Sequence, residues 1–98
     1  MDIIKNLDGS ALNIALVGRL DTTTAPALEA ELGTALDGVN DLAFDFEKLE
    51  YISSAGLRVL LSAQKAMKKQ GEMILTNVNA TVMEVLEITG FLDILTIA

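Results

Sequence analysis

The sequence contains no cysteine, no histidine and no tryptophan. Without cysteine there is neither a disulfide framework nor a thiolate ligand for a metal ion. Without histidine, the Ser-His-Asp and Cys-His catalytic arrangements, histidine-ligated zinc and an imidazole general base are all excluded. We therefore expect a protein that is not an enzyme and that uses no metal and no cofactor.

Long apolar runs and basic residues are also scarce. No apolar run approaches the roughly 18 residues that a membrane span requires, and the N-terminus lacks the charged-then-apolar layout of a signal peptide. These two absences predict a cytoplasmic protein with no membrane partner. Seven basic residues stand against 14 acidic ones, for a net charge of -7. That charge opposes binding to nucleic acid, because such binding depends on Lys and Arg at the phosphates.

The residues that are present suit one small domain. The chain has 98 residues, of which 51% are hydrophobic and only 4% aromatic. A chain of this length buries one core, so we expect a single domain over residues 1–98. Its core should be aliphatic, and the hydrophobic pattern predicts the following members: Ile14, Leu16, Leu28, Leu32, Phe44, Phe46, Leu57, Leu60, Leu61, Ile74, Val82, Leu86 and Ile94.

Turn-forming residues divide the chain into short elements. Strands are predicted over residues 3–7, 11–20, 42–49, 73–78 and 93–97. A first helix with Pro26 in its first turn, a second that follows Ser53 and Ser54, and a third capped by Asn79 or Thr81 lie between the later strands. The predicted order is β-β-α-β-α-β-α-β, an α/β fold. Helical crossovers imply a mainly parallel sheet of four to five strands, with an antiparallel N-terminal strand joined through Asp8-Gly9.

The segment that joins the third predicted strand to the second helix carries two adjacent hydroxyls, Ser53 and Ser54. Ligands and partners commonly bind at the carboxyl ends of parallel strands, and a helix N-terminus tolerates a phosphate. From the residues alone the simpler interpretation is favoured, in which one serine is only an N-cap. Gly56, in the first turn, suggests the close approach of another group, although an incidental glycine is equally compatible.

A second strand-to-helix loop contains Asp21 and should emerge at the same end of the sheet as Ser54. Asp21 would place a carboxylate near the two hydroxyls. The alternative is that Asp21 acts only as an N-cap of the first helix.

Three segments together resemble one known family. They are Tyr-Ile-Ser-Ser-Ala-Gly-Leu-Arg-Val-Leu at 51–60, Gly-Arg-Leu-Asp-x-x-Thr-Ala at 18–25, and residues 82–90 followed by Phe91. They resemble the STAS domain, and more narrowly the bacterial anti-sigma factor antagonists. The chain departs from the best-known members at Ser53, where they have Asp, and at Ala55, where they have Ser or Thr.

The resemblance implies a STAS-like fold and a switch at Ser54, the serine two places before the glycine. In that family an anti-sigma factor that is itself a serine kinase phosphorylates this position, and a PP2C-type phosphatase reverses the modification. The unphosphorylated form binds the anti-sigma factor and releases the sigma factor. The implied partner-binding residues are Asp21, Thr24, Ser53, Ala55, Gly56 and Arg58.

A second interpretation keeps the fold and removes the switch. The chain would then be a STAS-type docking subunit of a transport or other signalling complex, without phosphorylation. In either case we expect the free domain to be a monomer.

Overall fold

The computed structural model describes all 98 residues and contains five strands and three α-helices. The strands are β1 (Asp2–Asp8), β2 (Ala11–Leu20), β3 (Asp41–Asp45), β4 (Leu49–Ile52) and β5 (Glu72–Thr76). The helices are α1 (Ala25–Ala35), α2 (Ser54–Met67) and α3 (Ala80–Ile88), and a 3₁₀ turn follows at Phe91–Asp93. None of the helices has the length and apolarity needed to cross a membrane.

The strands form a mixed sheet in the order β1-β2-β3-β5. β1 runs antiparallel to β2, whereas the β2–β3 and β3–β5 pairs are parallel. β4 lies parallel to the carboxyl end of β2, where Leu20 pairs with Ile52. The predicted fold class is confirmed, because helical crossovers connect the parallel strands and a tight turn reverses the chain after β1. That turn is formed by Gly9 and Ser10, one residue later than the predicted Asp8-Gly9, because Asp8 still pairs with Ala11.

The strand predicted over residues 42–49 is wrong in one respect, since the chain turns between β3 and β4. The Asp45 carboxylate accepts a hydrogen bond from the Glu47 backbone N–H at 3.0 Å, and Leu49 N donates to Phe46 O at 3.0 Å. This turn ends the pairing of β3 with β2. The chain then pairs again with β2, first at Gly18 and then, after a bulge between Gly18 and Arg19, at Arg19 and Leu20.

The strand predicted over residues 93–97 is also wrong. The residues Phe91–Asp93 form the 3₁₀ turn, which is held by hydrogen bonds such as that from Ile94 N to Phe91 O at 3.0 Å. Only an isolated bridge between Leu75 and Ile97 places this segment at the edge of β5.

The core lies on one face of the sheet, against the three helices, as a single cluster of 24 buried residues. Ten of the thirteen predicted core residues are buried, and three predictions are wrong. Ile74 and Leu61 are half-buried, and Ile94 is 42% exposed. In β5 the neighbours Met73 and Leu75 point to the helices, so the alternation of a strand turns Ile74 to the opposite face.

Candidate functional site

The candidate site lies where β2 and β4 end side by side. The Ser53 backbone N–H donates to Leu20 O at 2.9 Å, which extends the ladder by one bond past the last pair of β2 and β4. The chain then enters α2 directly at Ser54, while β2 leads through Asp21 into α1. The two loops that the sequence singled out are thus brought together at one end of the sheet, as predicted.

Ser53 and Ser54 occupy different environments in spite of being adjacent. Ser53 is the N-cap of α2 with extended backbone angles, and its hydroxyl oxygen is buried without a hydrogen-bond partner. Ser54 is the first helical residue, and its side chain is exposed. Ser54 therefore has the accessible hydroxyl of the pair, next to the unpaired N–H groups and the positive dipole end of the helix.

Asp21 organises the loop before α1. One carboxylate oxygen accepts from the Thr23 N–H at 3.0 Å, from the Thr23 hydroxyl at 2.8 Å and from the Thr24 N–H at 3.2 Å. The hydrogen bond from the Thr23 side chain is the main cause that lowers the pKa of Asp21 below its usual value. Because the folded-state pKa is lowered, the stabilisation is present above the ordinary aspartate pKa and is lost as the pH falls through the folded value.

Thr24 holds the same loop at its α1 end. It is the N-cap of α1 by position, and its hydroxyl donates to Arg19 O at 2.8 Å while accepting from the Asp21 N–H at 2.8 Å. Its hydroxyl is thus used within the chain, and Thr24 contributes to the site chiefly by holding Asp21 in place.

Arg19 and Tyr51 form a contact that the sequence did not reveal. The Arg19 guanidinium carbon lies 4.6 Å from the centroid of the Tyr51 ring, and Arg19 Nε lies 3.7 Å from Asp21 Oδ2. The parallel register of β2 with β4 places Arg19 opposite Tyr51. A cation held over an aromatic ring near Ser54 adds a positive group to this end of an acidic protein.

A shallow cleft of about 150 Å³ separates the starts of α1 and α2. Arg58, which is exposed, and Ala55, which is half-buried, line the α2 side of this cleft, one turn or less beyond Ser54. The residues predicted to bind a partner therefore lie in the two loops and helix starts at this end of the sheet. Two of them are not free to contact a partner, because Gly56 is buried and the hydroxyl oxygen of Ser53 is buried as well.

Gly56 is enclosed by the protein's own strands. A Cβ atom at this position would lie 2.6 Å from Leu20 Cγ and 3.0 Å from Ile52 Cγ1. Both of these side chains are fully buried, so neither is free to move aside. The glycine allows α2 to begin directly against the ends of β2 and β4, which sets the position of Ser54.

Gly56→Ala is expected to lower the free energy of unfolding by about 1–2 kcal/mol, because overpacking outweighs a helix-propensity gain of up to about 1 kcal/mol. Displacement of the start of α2 should also slow any modification of Ser54. Urea denaturation and a phosphorylation time course measure the two effects. A variant that is more stable than the parent and is modified at the parent rate would show that the contact with Leu20 is unimportant.

Comparison with known proteins identifies the family of the chain. The STAS domain family model matches residues 2–98. BtrV of Bordetella bronchiseptica, whose designation as an anti-sigma factor antagonist is provisional, is 42% identical over 94 residues, which cover 94% of this chain and 80% of BtrV. The anti-sigma-B factor antagonist of Bacillus subtilis is 31% identical over 99 residues, covering 100% of this chain and 89% of that protein.

Solved structures agree on the fold. SpoIIAA of Bacillus in its phosphorylated form matches with a TM-score of 0.76 and 23% identity, over 99% of this chain and 91% of SpoIIAA. Its unphosphorylated form matches with a TM-score of 0.77 and 21% identity, over 99% of this chain and 87% of that one. Anti-sigma factor antagonists are regulatory binding proteins, so the prediction that the chain is not an enzyme is confirmed. The chain belongs to the STAS domain family and, within it, to the anti-sigma factor antagonists.

Proposed function

We propose that the unphosphorylated chain binds an anti-sigma factor that is also a serine kinase, and that phosphorylation of Ser54 by this kinase switches the binding off. Binding releases the sigma factor, and a PP2C-type phosphatase restores the unphosphorylated form. The observation that carries the proposal is the exposure of the Ser54 hydroxyl at the first residue of α2, while the neighbouring Ser53 hydroxyl is buried.

The surroundings of Ser54 support its use as a phosphoacceptor. The first turn of α2 contains no acidic residue, so nothing in it repels a phosphate, and the unpaired N–H groups of the helix start favour one. Among the relatives, SpoIIAA has been solved both with and without phosphate. A fold of this kind therefore accommodates the modification.

Ser54→Ala is expected to abolish phosphate incorporation when the protein is incubated with its cognate kinase and ATP. Ser53→Ala is the matched control and should retain a single phosphate at Ser54, because the Ser53 hydroxyl is not accessible. Mass spectrometry of the intact protein and of its peptides reads both results. Phosphate found at Ser53 alone would contradict the assignment, and no phosphate on either serine would favour a docking subunit without a switch.

Asp21→Asn is expected to fold with near-parental stability and yet bind the kinase several-fold more weakly. The amide oxygen of Asn can still accept from the Thr23 and Thr24 N–H groups, so the hydrogen bonds that hold the loop before α1 are kept and the charge is lost. Asp21→Ala removes both the hydrogen bonds and the charge, so it should also lower the melting temperature. Calorimetric titration and thermal unfolding separate the effects, and parental binding by Asp21→Asn would show that Asp21 only holds the loop.

A further inference from the structure

The sheet has one face that no element of the chain covers. The three helices and the buried cluster lie on the other face, whereas Ala11 and Asn13 of β2 and Asp41 of β3 point away from them and are exposed. Mainly parallel sheets are ordinarily covered on both faces, because both faces must be shielded from water. An open face on such a sheet is an unusual feature that calls for an occupant.

A groove runs along the middle of the open face of the sheet. A cavity of about 270 Å³ lies over the amino-terminal half of the sheet, between Asn6 on β1 and Ile74 on β5, with Ala43 between them. A second cavity of about 210 Å³ continues over Ala15 and reaches Val17. We call this surface the alanine trough and define its floor as Ala11, Ala15 and Ala43, with the side chain of Asn13 between them.

The size of the alanine trough corresponds to a helix. Three strand spacings separate β1 from β5, which is about 14 Å, and an α-helix with its side chains is about 10–12 Å across. From Ala11 to Val17, β2 extends about 20 Å at the rise of a strand, the length of about 13 helical residues. The three alanines of the floor allow a helix to approach closely on either side of Asn13, whose amide is exposed to a polar group of that helix.

Charge determines which kind of helix fits. Asp8, Asp41 and Glu72 lie in one row across β1, β2, β3 and β5, at the amino end of the trough. All three are exposed. The ion pairs of the protein are Lys5 with Glu31 and Arg19 with Asp21, so this row has no cationic partner within the chain. At the opposite end Asp45 and Glu47 stand beside a single base, Lys48.

A second copy of the chain does not provide a basic helix with a free apolar face. Two open faces packed together would bring each acidic row towards either the other row or Asp45 and Glu47, and each copy has a net charge of -7. Of the basic group Lys65, Lys68 and Lys69, only Lys65 lies within α2, and the apolar side of that helix is already buried in its own core. No helix of the chain therefore offers both lysines and a free apolar face.

We propose that the alanine trough is a docking surface for a basic amphipathic helix of a partner protein. The helix would lay an apolar stripe on the alanine floor and direct lysine or arginine side chains to the acidic row of Asp8, Asp41 and Glu72. The trough is on the sheet face opposite α2, so this surface is separate from the one around Ser54 and does not depend on the proposed phosphorylation.

The test uses a synthetic helix as probe. The probe is a 14-residue capped peptide with leucine and alanine on one face and four lysines on its flanks, compared with the same peptide carrying glutamate in place of lysine. Amide chemical shifts of the ¹⁵N-labelled full chain are expected to change along β2, β3 and β5 with the lysine peptide and not with the glutamate peptide. Changes confined to the helices would overturn the proposal.

Two variants and a matched control make the result decisive. Asp8→Asn/Asp41→Asn/Glu72→Gln should weaken lysine-peptide binding at least 10-fold, and Ala43→Gln, which fills the floor without a charge, should do the same. Glu84→Gln/Glu87→Gln/Asp93→Asn removes the same charge from exposed positions elsewhere and should change the affinity less than 2-fold. If both triple variants lose the same affinity for the lysine peptide, the binding depends only on the net charge of the protein, and the proposal is overturned.

Sedimentation velocity of the unliganded chain completes the test. A dimer that Ala43→Gln dissociates would show that a second copy occupies the trough, against the proposal. If Ala43→Gln does not fold, the two charge variants and the chemical-shift map still decide the outcome, because all six of their substitutions are at exposed residues.

Discussion

Gly71→Ala is expected to lower the free energy of unfolding by about 3 kcal/mol, at the upper end of the effects of overpacking. A Cβ atom at Gly71 would lie 1.8 Å from the backbone oxygen of Asn40 and 2.6 Å from its carbonyl carbon. These are backbone atoms, so no rotamer change relieves the clash. The same Asn40 oxygen accepts a hydrogen bond from Glu72 N at 2.9 Å, which fixes the start of β5 against the start of β3.

The surroundings of Gly71 allow little adjustment. Gln70 donates from its side chain to Leu36 O at 2.6 Å and to Val39 O at 2.7 Å, which ties the end of α2 to the end of α1. Asn40 N in turn donates to Ser10 O at 2.8 Å. Moving the Asn40 carbonyl away from an added methyl group would therefore disturb the start of three strands.

Gly33→Ala is the matched control for Gly71→Ala. Gly33 lies in the interior of α1, and a Cβ there would meet nothing within 4 Å. The control should raise stability by about 0.5–1 kcal/mol, because alanine loses less backbone entropy in a helix. Urea denaturation at pH 7 measures both variants, and a Gly71→Ala protein as stable as the parent would contradict the contact with Asn40.

Nothing in the sequence marks Gly71 as the site of a close contact. The role of Gly71 depends on Asn40, 31 residues earlier, and no local pattern records that pairing. The contact between Arg19 and Tyr51 was missed for the same reason, since it follows from the parallel register of β2 with β4. Glycines and aromatic pairs of this kind become interpretable only once the strand order is known.

The predictions that were confirmed depended on short-range signals. Pro26 at the start of α1 and the hydroxyls before α2 are local helix signals, and both helices begin where these signals predicted. The turn after Asp45 was missed because the apolar alternation through Phe44 and Phe46 continues across it. It depends on the Asp45 carboxylate, which also accepts from Asn77 at 3.0 Å across the sheet.

Ile74 and Ile94 show the limit of hydrophobicity as a signal for burial. Met73, Ile74 and Leu75 form a continuous apolar run, so period-two alternation does not say which of them faces the helices. Ile94 was placed in the core because a strand was predicted around it, and the 3₁₀ turn leaves it 42% exposed. Both residues are apolar, as a core position requires, but whether their side chains face the helices depends on the tertiary structure.

If the proposed switch operates at Ser54, Ser54→Asp is expected to weaken binding to the proposed anti-sigma factor kinase by about 30-fold or more, which corresponds to about 2 kcal/mol. A carboxylate at Ser54 stands in for part of the charge of a phosphate, which carries about -1.5 to -2. When the partner covers this surface, the added charge must lose its water, and a charge left unpaired in an interface costs about 2–5 kcal/mol. Arg58, four residues further along α2, is exposed, so a pair with it offsets only a few tenths of a kcal/mol, or about 0.5 kcal/mol at most.

The fold should not suffer from the same substitution. Ser54 is exposed at the first residue of α2, whose first turn has no acidic residue. A carboxylate near a helix N-terminus is favourable by about 0.3–1 kcal/mol. The melting temperature of Ser54→Asp should therefore equal or slightly exceed that of the parent, and a loss of fold would contradict the position assigned to Ser54.

Two control variants separate charge from shape and position. Ser54→Asn has nearly the shape of Ser54→Asp without its charge, so it should bind within a few-fold of the parent. Ser62→Asp places the same charge at an exposed position two turns further along α2 and should leave the affinity almost unchanged. Calorimetric titration of all three variants against the kinase gives the comparison. If Ser54→Asn loses as much affinity as Ser54→Asp, the interface rejects the larger side chain, and a switch based on charge would have to be abandoned.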